Sequence, residues 1–219
     1  MSKPVPRPLE LTSTSDALAA ALRPRILEGE LAAGTRLREQ ELSDDYGVAR
    51  HTLRAALRTL AAEGLVRIEP NRGASVAKLG AAELHDIADL RIALEVEAAR
   101  LALERGEGRL PDDVRERADR LASTCRRRRP PWSTVVDAHD DLHTAIVAAS
   151  GSPRIVGAYL ALAGEMRLVI VQLRPVWTLE RMAADHLALV DRLEAEGPEI
   201  LRPHIREATA AIVSGSGDY

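Results

Sequence analysis

One segment, residues 41–78, constrains the fold of this chain more than any other. It begins with a helical pattern over residues 41–46, a turn at Gly47 and Val48, and a second helix that starts near Arg50 and stops at Gly64. A β-hairpin follows, with a strand over residues 65–68, a tip at 71–73 and a return strand over 74–77. Helix, tight turn, helix and hairpin in this order predict a winged helix-turn-helix, an arrangement that reads double-stranded DNA.

The second helix of this segment is amphipathic. Its apolar residues recur at helical spacing on one face, at Leu53, Ala56, Leu57 and Leu60. Arg50, Arg54 and Arg58 are four residues apart and form a stripe on another face. Arginine can bridge the edge of a guanine or clamp a phosphate. The stripe alone also fits a solvated basic face on an ordinary helical hairpin, but the glycine-tipped wing that follows favours DNA binding.

Length and charge indicate two small domains with different surfaces. The chain has 219 residues, enough for two cores. Residues 1–80 carry 12 Lys and Arg against 10 Asp and Glu, whereas residues 81–219 carry 18 against 23. No stretch approaches the roughly 18 uncharged apolar residues of a membrane helix, and the N-terminus lacks the apolar run of a secretory signal. With its single cysteine, Cys125, the chain is expected in a reducing cytoplasm.

The second half of the sequence predicts helices only. They cover residues 81–105, a segment from Pro111 to the arginine cluster 126–129, and residues 133–149, 153–174, 178–196 and 198–213. On the first of them Leu84, Ile87, Leu90, Leu94, Ala98 and Leu101 form one apolar stripe. The predicted fold is mostly α: a disordered arm (1–14), a winged helix-turn-helix with a small β-hairpin wing (15–78), a linker (79–80), an all-α bundle (81–213) and a tail (214–219).

Histidines carry the chemistry of the second half. His139 and His143 are four residues apart on one helix, which is a chelating spacing for a divalent metal ion. His186 lies on a later helix and His204 on the last one. The pair alone is also compatible with structural or solvated histidines.

The first segment resembles the DNA-binding domain of the GntR superfamily of bacterial transcription regulators. Matching positions include Gly47-Val48, Arg50, Arg54, Glu63-Gly64 and Arg72-Gly73, while Ala49 stands where the family usually has serine. The resemblance implies a homodimer on a pseudo-palindromic operator, with two recognition helices in successive major grooves. The residues expected to contact DNA are Arg38, Gln40, Arg50, His51, Thr52, Arg54, Arg72 and Gly73.

The helical half resembles the FCD effector domain of the FadR subfamily, at Arg91 to Glu95, at residues 141–153 and at Asp185-His186. Many members bind a metal through one aspartate and three histidines. His143 and His186 match two of those histidines, and His139 stands at the aspartate position. The third histidine would fall near Thr209; His204 lies one turn earlier. The resemblance therefore implies a metal site of His139, His143 and His186, completed by His204, Thr209, water or the effector.

These observations predict a ligand-responsive transcription regulator and not an enzyme. Its metal would be zinc or nickel. Its effector would be a small carboxylate, bound near Arg91, Glu95 and His204. The main alternative is a metal-free pocket whose histidines bind an organic acid or acyl group directly. A metal-dependent hydrolase fused to a DNA-binding head is a weaker alternative, because no general-base spacing such as His-Glu-x-x-His occurs. An architectural DNA protein without an effector is the third.

Overall fold

The computed structural model describes residues 13–215. The N-terminal head, residues 14–76, contains α1 (Thr14–Leu27), β1 (Arg36–Leu37), α2 (Glu39–Tyr46), α3 (Arg50–Ala62), β2 (Val66–Glu69) and β3 (Gly73–Val76). The bundle, residues 81–215, contains α4 (Ala81–Arg105), α5 (Asp112–Cys125), α6 (Trp132–Ala148), α7 (Pro153–Leu160), α8 (Ala163–Leu173), α9 (Leu179–Glu196), a 3-10 turn (Pro198–Ile200) and α10 (Leu201–Gly215). The predicted fold class, mostly α with a small winged head, is confirmed.

The ends of the described chain differ from the predicted arm and tail. Helix α1 already begins at Thr14, where a capping box of Ser13 and Asp16 satisfies its N-terminus. Helix α10 continues to Gly215. The rest of the predicted arm and tail, residues 1–12 and 216–219, lies outside the described residues.

The helix-turn-helix follows the predicted pattern. The apolar face of α3, formed by Leu53, Ala56, Leu57 and Leu60, is buried, and its three arginines point to solvent. Gly47 ends α2 in the left-handed conformation, with φ of 61°. This turn requires a residue that tolerates positive φ, and glycine does so without strain.

The wing belongs to a three-stranded antiparallel sheet of order β1-β3-β2. Strand β2 pairs with β3 in a register that places Arg67 opposite Ser75, and Arg36 of β1 faces the same Ser75 from the other side. The sequence predicted only the hairpin. Strand β1 has two residues, too few to show an alternating pattern.

One predicted helix of the bundle is two helices. The segment predicted as a single helix over residues 153–174 breaks after Leu160, and α7 and α8 meet at 54°. No proline lies inside the segment to cause the break. The cause is tertiary: the break places the α-carbon of Gly164 against the end of α3, where an added Cβ would lie 1.4 Å from the carbonyl oxygen of Glu63.

The buried face of α4 differs from the predicted apolar stripe. Leu84, Ile87 and Ala98 are buried as expected, but Leu90 is 46% exposed. The same face buries a charged pair instead, Arg91 and Glu95. An apolar pattern cannot reveal such a pair, because charged side chains are almost never fully buried unless they are paired.

Across the described residues no single helix is long and apolar enough to span a membrane, although the bent pair α7 and α8 meets the length and composition criteria together.

Candidate DNA-reading surface and buried histidine cluster

The predicted DNA contacts gather at the N-terminal turn of α3. Arg50, His51 and Arg54 are exposed there, and Thr52 is half-buried. The N-cap is Ala49, which has no side chain able to cap the helix. The N–H groups of Arg50 and His51 are therefore open to an acceptor from outside, whereas that of Thr52 donates to the carbonyl of Ala49 at 3.0 Å. A helix N-terminus of this kind attracts phosphate.

Residues of α2 hold the arginines of α3. The carboxylate of Glu39 accepts a hydrogen bond from Arg54 Nε at 2.8 Å, and the side-chain oxygen of Gln40 accepts one from Arg50. Arg38 lies at the N-cap of α2. The structure thus brings four predicted residues to one surface and adds Glu39, which the sequence did not single out. Ion pairs this exposed are weak, so a phosphate can replace the carboxylate.

The wing carries the remaining predicted contacts. Arg72 lies at the tip with its side chain 81% exposed, 2.8 Å from Glu69. Asn71 and Gly73 adopt φ of 62° and 82°, which closes the hairpin. Arg36 of β1 lies beside the tip, with Nη2 3.8 Å from where a Cβ on Gly73 would be. Arg36 is a basic neighbour that sequence reasoning missed because β1 was not predicted.

Inside the bundle, the three predicted metal ligands meet. His139 and His143 project from α6 and His186 from α9, and all three are buried. Nitrogen atoms from the three rings lie within 4.8 Å of one another. The ring centroids of His139 and His143 are 4.5 Å apart, and those of His139 and His186 are 4.8 Å apart. Two nitrogens bound to one zinc ion lie at most about 4.2 Å apart, so a small closing of the rings would bring all three onto one ion.

Two of these rings have a fixed tautomer. His143 Nδ1 lies 2.8 Å from Glu95 Oε2, and His186 Nδ1 lies 2.7 Å from the carbonyl oxygen of Met182. A carbonyl and an ionised carboxylate only accept, so each Nδ1 carries the proton. In the neutral form of each ring, Nε2 then has a free lone pair. Both Nε2 atoms are buried and have no hydrogen-bond partner within the described residues.

The protonation of the cluster follows from its burial. Burial lowers the pKa of His186 to about 3, and the neighbouring His143 adds to the effect. Burial also lowers the pKa of His139 well below its ordinary value. At neutral pH these imidazoles are uncharged, which is the form that binds a metal.

Arg91 and Glu95 form the second layer of the cluster. Arg91 Nε donates to Glu95 Oε1 at 2.7 Å, and both side chains are almost completely buried. Burial by itself would raise the pKa of Glu95, but the charge of Arg91 and the contact with His143 outweigh it, and the pKa falls to about 2. Both residues, predicted to bind an effector, therefore lie beside the cluster. Glu95 also orients His143, a role with no signal in the sequence.

Two residues were candidates to complete the site. The ring of His204, on α10, stacks on His143 at a centroid distance of 5.6 Å and meets His186 edge-on at 4.9 Å. The hydroxyl of Thr209 donates to the carbonyl of Ile205 in its own helix at 3.0 Å. His204 is therefore the candidate that adjoins the cluster.

Two aspartates of α6 pair with Arg167 of α8. Asp137 and Asp140 approach Arg167 at 2.9 and 3.7 Å. The cluster consequently lacks a carboxylate that contacts the shared space directly among the described residues.

Comparison with known proteins decides the family. Residues 14–76 match the model of bacterial regulatory proteins of the gntR family, and residues 86–210 match the FCD domain. The HTH-type transcriptional regulator BphR of Paraburkholderia xenovorans (strain LB400) is 32% identical over 96% of this chain and 89% of its own length. The chain belongs to the GntR family. It is a DNA-binding transcription regulator with an FCD domain of the FadR-like kind, and not an enzyme.

Other relatives agree with this assignment. The HTH-type transcriptional repressor GlaR of Escherichia coli (strain K12) is 29% identical over 84% of this chain and 89% of its own. The crystal structure of a GntR transcriptional regulator from Rhodococcus sp. RHA1 superposes with a TM-score of 0.68, at 24% identity, over 94% of this chain and 98% of that one. E. coli McbR/YncC gives a TM-score of 0.64 at 20% identity over 94% and 99% of the two chains. These two structures support the fold.

Proposed function

We propose that the regulator holds a divalent metal ion, zinc or nickel, on His139, His143 and His186, and that it responds to a small carboxylate bound at that ion. The observation that carries the proposal is the pair of buried Nε2 atoms on His143 and His186 without partners. A buried polar atom without a partner costs about 1–3 kcal/mol, and an ion bound by both lone pairs would remove that cost. Neutral imidazole suits zinc, copper and nickel.

Charge supports a carboxylate as the effector. Burial keeps His139 and His186 neutral, and Arg91 and Glu95 form an ion pair whose charges cancel. The charge of a divalent ion would therefore be uncompensated in a buried site, which favours an anion as a further ligand. When bound, the metal supplies a Lewis acid that holds the anionic oxygen. We keep Arg91, Glu95 and His204 as the residues nearest the effector.

Metal content tests this proposal. Wild-type protein purified without a histidine tag should retain about one ion per chain by mass spectrometry, and His143→Ala should lose it. His85→Ala is the matched control, since His85 is exposed on α4. If wild type and His143→Ala contain equal, sub-stoichiometric metal while a carboxylate still binds, the metal-free organic-acid pocket is the correct function.

We also propose that Arg50 and Arg54 read the major groove and that Arg72 and Gly73 reach the adjacent minor groove or backbone. Arg54→Ala should weaken operator binding by about 1–3 kcal/mol. Arg192→Ala, on an exposed face of the bundle, is the matched control. Unchanged operator affinity in folded Arg50→Ala and Arg54→Ala proteins would contradict the proposal that these arginines read the major groove.

We propose further that two copies associate through the bundle. Leu90 on α4 and Leu160 at the end of α7 are 46% and 49% exposed, the large apolar side chains that the bundle leaves open within the described residues. Reading a pseudo-palindrome requires a fixed separation of two heads. Sedimentation should show a dimer for wild type and Leu90→Met, and a shift toward monomer for Leu90→Glu.

A further inference from the structure

His204 differs from the other histidines of the cluster in its burial. His139, His143 and His186 are 4%, 0% and 1% exposed, whereas His204 is half-buried. Its ring nevertheless covers two of the buried rings, stacked on His143 and edge-on to His186. His204 therefore has one side on the cluster and the other on solvent.

The outer side of His204 lines a surface cleft between α9 and α10. The cleft has a volume of about 140 Å³ and is lined by His204 but by none of the three buried histidines. Leu189 and Ile200, at 3% and 7% exposure, also line it. His204 thus lies between this cleft and the rings of His143 and His186.

The walls of the cleft carry a charge suited to a cation. Asp185 and Glu207 line it, and a single guanidinium, that of Arg181, pairs with both. Arg192 also lines the cleft, but its charge is met by Glu196 at 2.7 Å. The mouth therefore keeps a net negative charge, which raises the local concentration of cations.

Arg181 also limits how the cluster can open. Arg181 lies on α9 and pairs with Glu207 of α10, so this ion pair joins the two helices. Opening the cluster by separating these helices would break the Arg181–Glu207 pair. Rotation of the His204 side chain would leave that pair in place.

We infer that His204 is the gate of the histidine cluster, closing it in the position described and admitting a divalent metal ion from the cleft when its side chain rotates. The inference rests on the proposed metal site for the identity of what enters. It concerns access alone and can be tested on metal-free protein.

The test compares three proteins: wild type, His204→Ala, which lacks the ring, and His204→Phe, which keeps a ring without nitrogen atoms. Metal-free proteins are treated with diethyl pyrocarbonate, and carbethoxylation at each histidine is followed by peptide mass spectrometry. His139, His143 and His186 should react slowly in wild type and in His204→Phe. They should react about tenfold faster or more in His204→Ala, the factor that corresponds to removing ~1.4 kcal/mol from the barrier to access.

Exposed His85 supplies the internal standard, because its labelling rate should be equal in all three proteins. Cooperative thermal unfolding of His204→Ala would show that this variant is still folded. Slow labelling of His204→Phe would show that faster labelling in His204→Ala comes from loss of the ring and not from a general loosening of the bundle. Equal labelling of the three buried histidines in wild type and His204→Ala would overturn the gate. Fast labelling in His204→Phe with intact folding would also overturn it.

A second measurement follows zinc uptake and its release to a chelator by stopped flow. Both rates should rise in His204→Ala and stay near wild type in His204→Phe. Faster release alone, with unchanged uptake, would make His204 a ligand and not a gate. If wild type takes up no zinc, the metal proposal fails while the labelling result still decides the gate.

Discussion

At the scale of single residues, Glu95 determines what the cluster can bind. It accepts hydrogen bonds from His143 Nδ1 at 2.8 Å and from Arg91 Nε at 2.7 Å. The first contact leaves His143 Nε2 as the free lone pair, and the second keeps a buried guanidinium paired. Partners of this kind orient metal-binding histidines and raise their basicity.

Glu95→Gln should therefore weaken zinc binding by about 10–100-fold, because the amide no longer fixes one tautomer of His143. Chelator competition measures the affinity. Glu97→Gln is the matched control, since Glu97 is exposed on the same helix and pairs with Arg100. Equal zinc affinity in Glu95→Gln and Glu97→Gln would show that Glu95 does not support the site.

The buried histidines also make stability depend on pH. The pKa of His186 falls from its ordinary 6.5 to about 3 in the folded chain, and that of His139 is lowered as well, in both cases chiefly by burial. Below pH 6.5 the unfolded chain therefore binds protons that the folded chain does not. This contribution to the free energy of unfolding is full above pH 6.5 and is lost as the pH falls toward 3.

Urea unfolding of metal-free protein at several pH values between about 5 and 7 should show this loss, with His139 and His186 each contributing up to about 1.4 kcal/mol per pH unit. His186→Gln should give a shallower dependence. Glu95 acts with the same sign at lower pH, because its pKa falls from 4.5 to about 2. A slope that is identical in wild type and His186→Gln would contradict the assignment of a neutral, buried His186.

At the scale of elements, the break between α7 and α8 fits the head onto the bundle. It allows the backbone of Gly164 to contact Glu63 and Gly64 at the end of α3. The same helix α8 continues to Gln172, whose amide accepts from Leu79 N–H at 3.0 Å and donates to its carbonyl at 3.2 Å. One helix thus contacts both the end of the recognition helix and Leu79, in the segment between the wing and the bundle.

Gly164→Ala should separate α8 from α3, since its Cβ would lie 1.4 Å from the carbonyl oxygen of Glu63. Overpacking of this kind costs about 1–3 kcal/mol of stability, measurable by urea unfolding. Gly157→Ala on α7 is the control, because a Cβ there meets nothing within 4 Å. Two variants of equal stability would show that the close approach does not hold the head.

The same elements explain how far the sequence predicts the structure. Helix α3 and the wing were predicted because period and glycine placement are local signals. The α7–α8 break was not, because it is caused by contact with Glu63, a hundred residues away in the chain. In the site, His139 and His143 are four residues apart on one helix, so their position on a shared face could be predicted from local sequence. The approach of His186 was predicted only through resemblance, and the Glu95–His143 bond joins residues without any shared pattern.

At the scale of the whole molecule, the head is bonded to the helix that carries the histidines. Helix α6 has no side-chain cap of its own at Pro131. The carboxylate of Glu28, which follows α1, accepts the N–H groups of Trp132 and Ser133 at 2.9 and 2.8 Å. Arg174 donates to the carbonyl of Glu28 at 2.7 Å and lies over the ring of Trp132. A displacement of α6 by a bound ion or effector would therefore reach the head directly.

Glu28→Gln should reduce the coupling between the two sites while leaving each able to bind. The neutral amide offers one acceptor in place of two and removes a negative charge from the N-terminus of α6, at a cost of about 0.5–2 kcal/mol of stability. Operator affinity measured with and without zinc gives the coupling free energy, which must be the same when zinc affinity is measured with and without operator. Glu30→Gln is the control, because Glu30 is exposed and pairs only with Arg25 among the described residues. Coupling that survives in Glu28→Gln at the wild-type value would mean that the signal leaves the bundle by another contact, with Gly164 and Gln172 of α8 as the next to be tested.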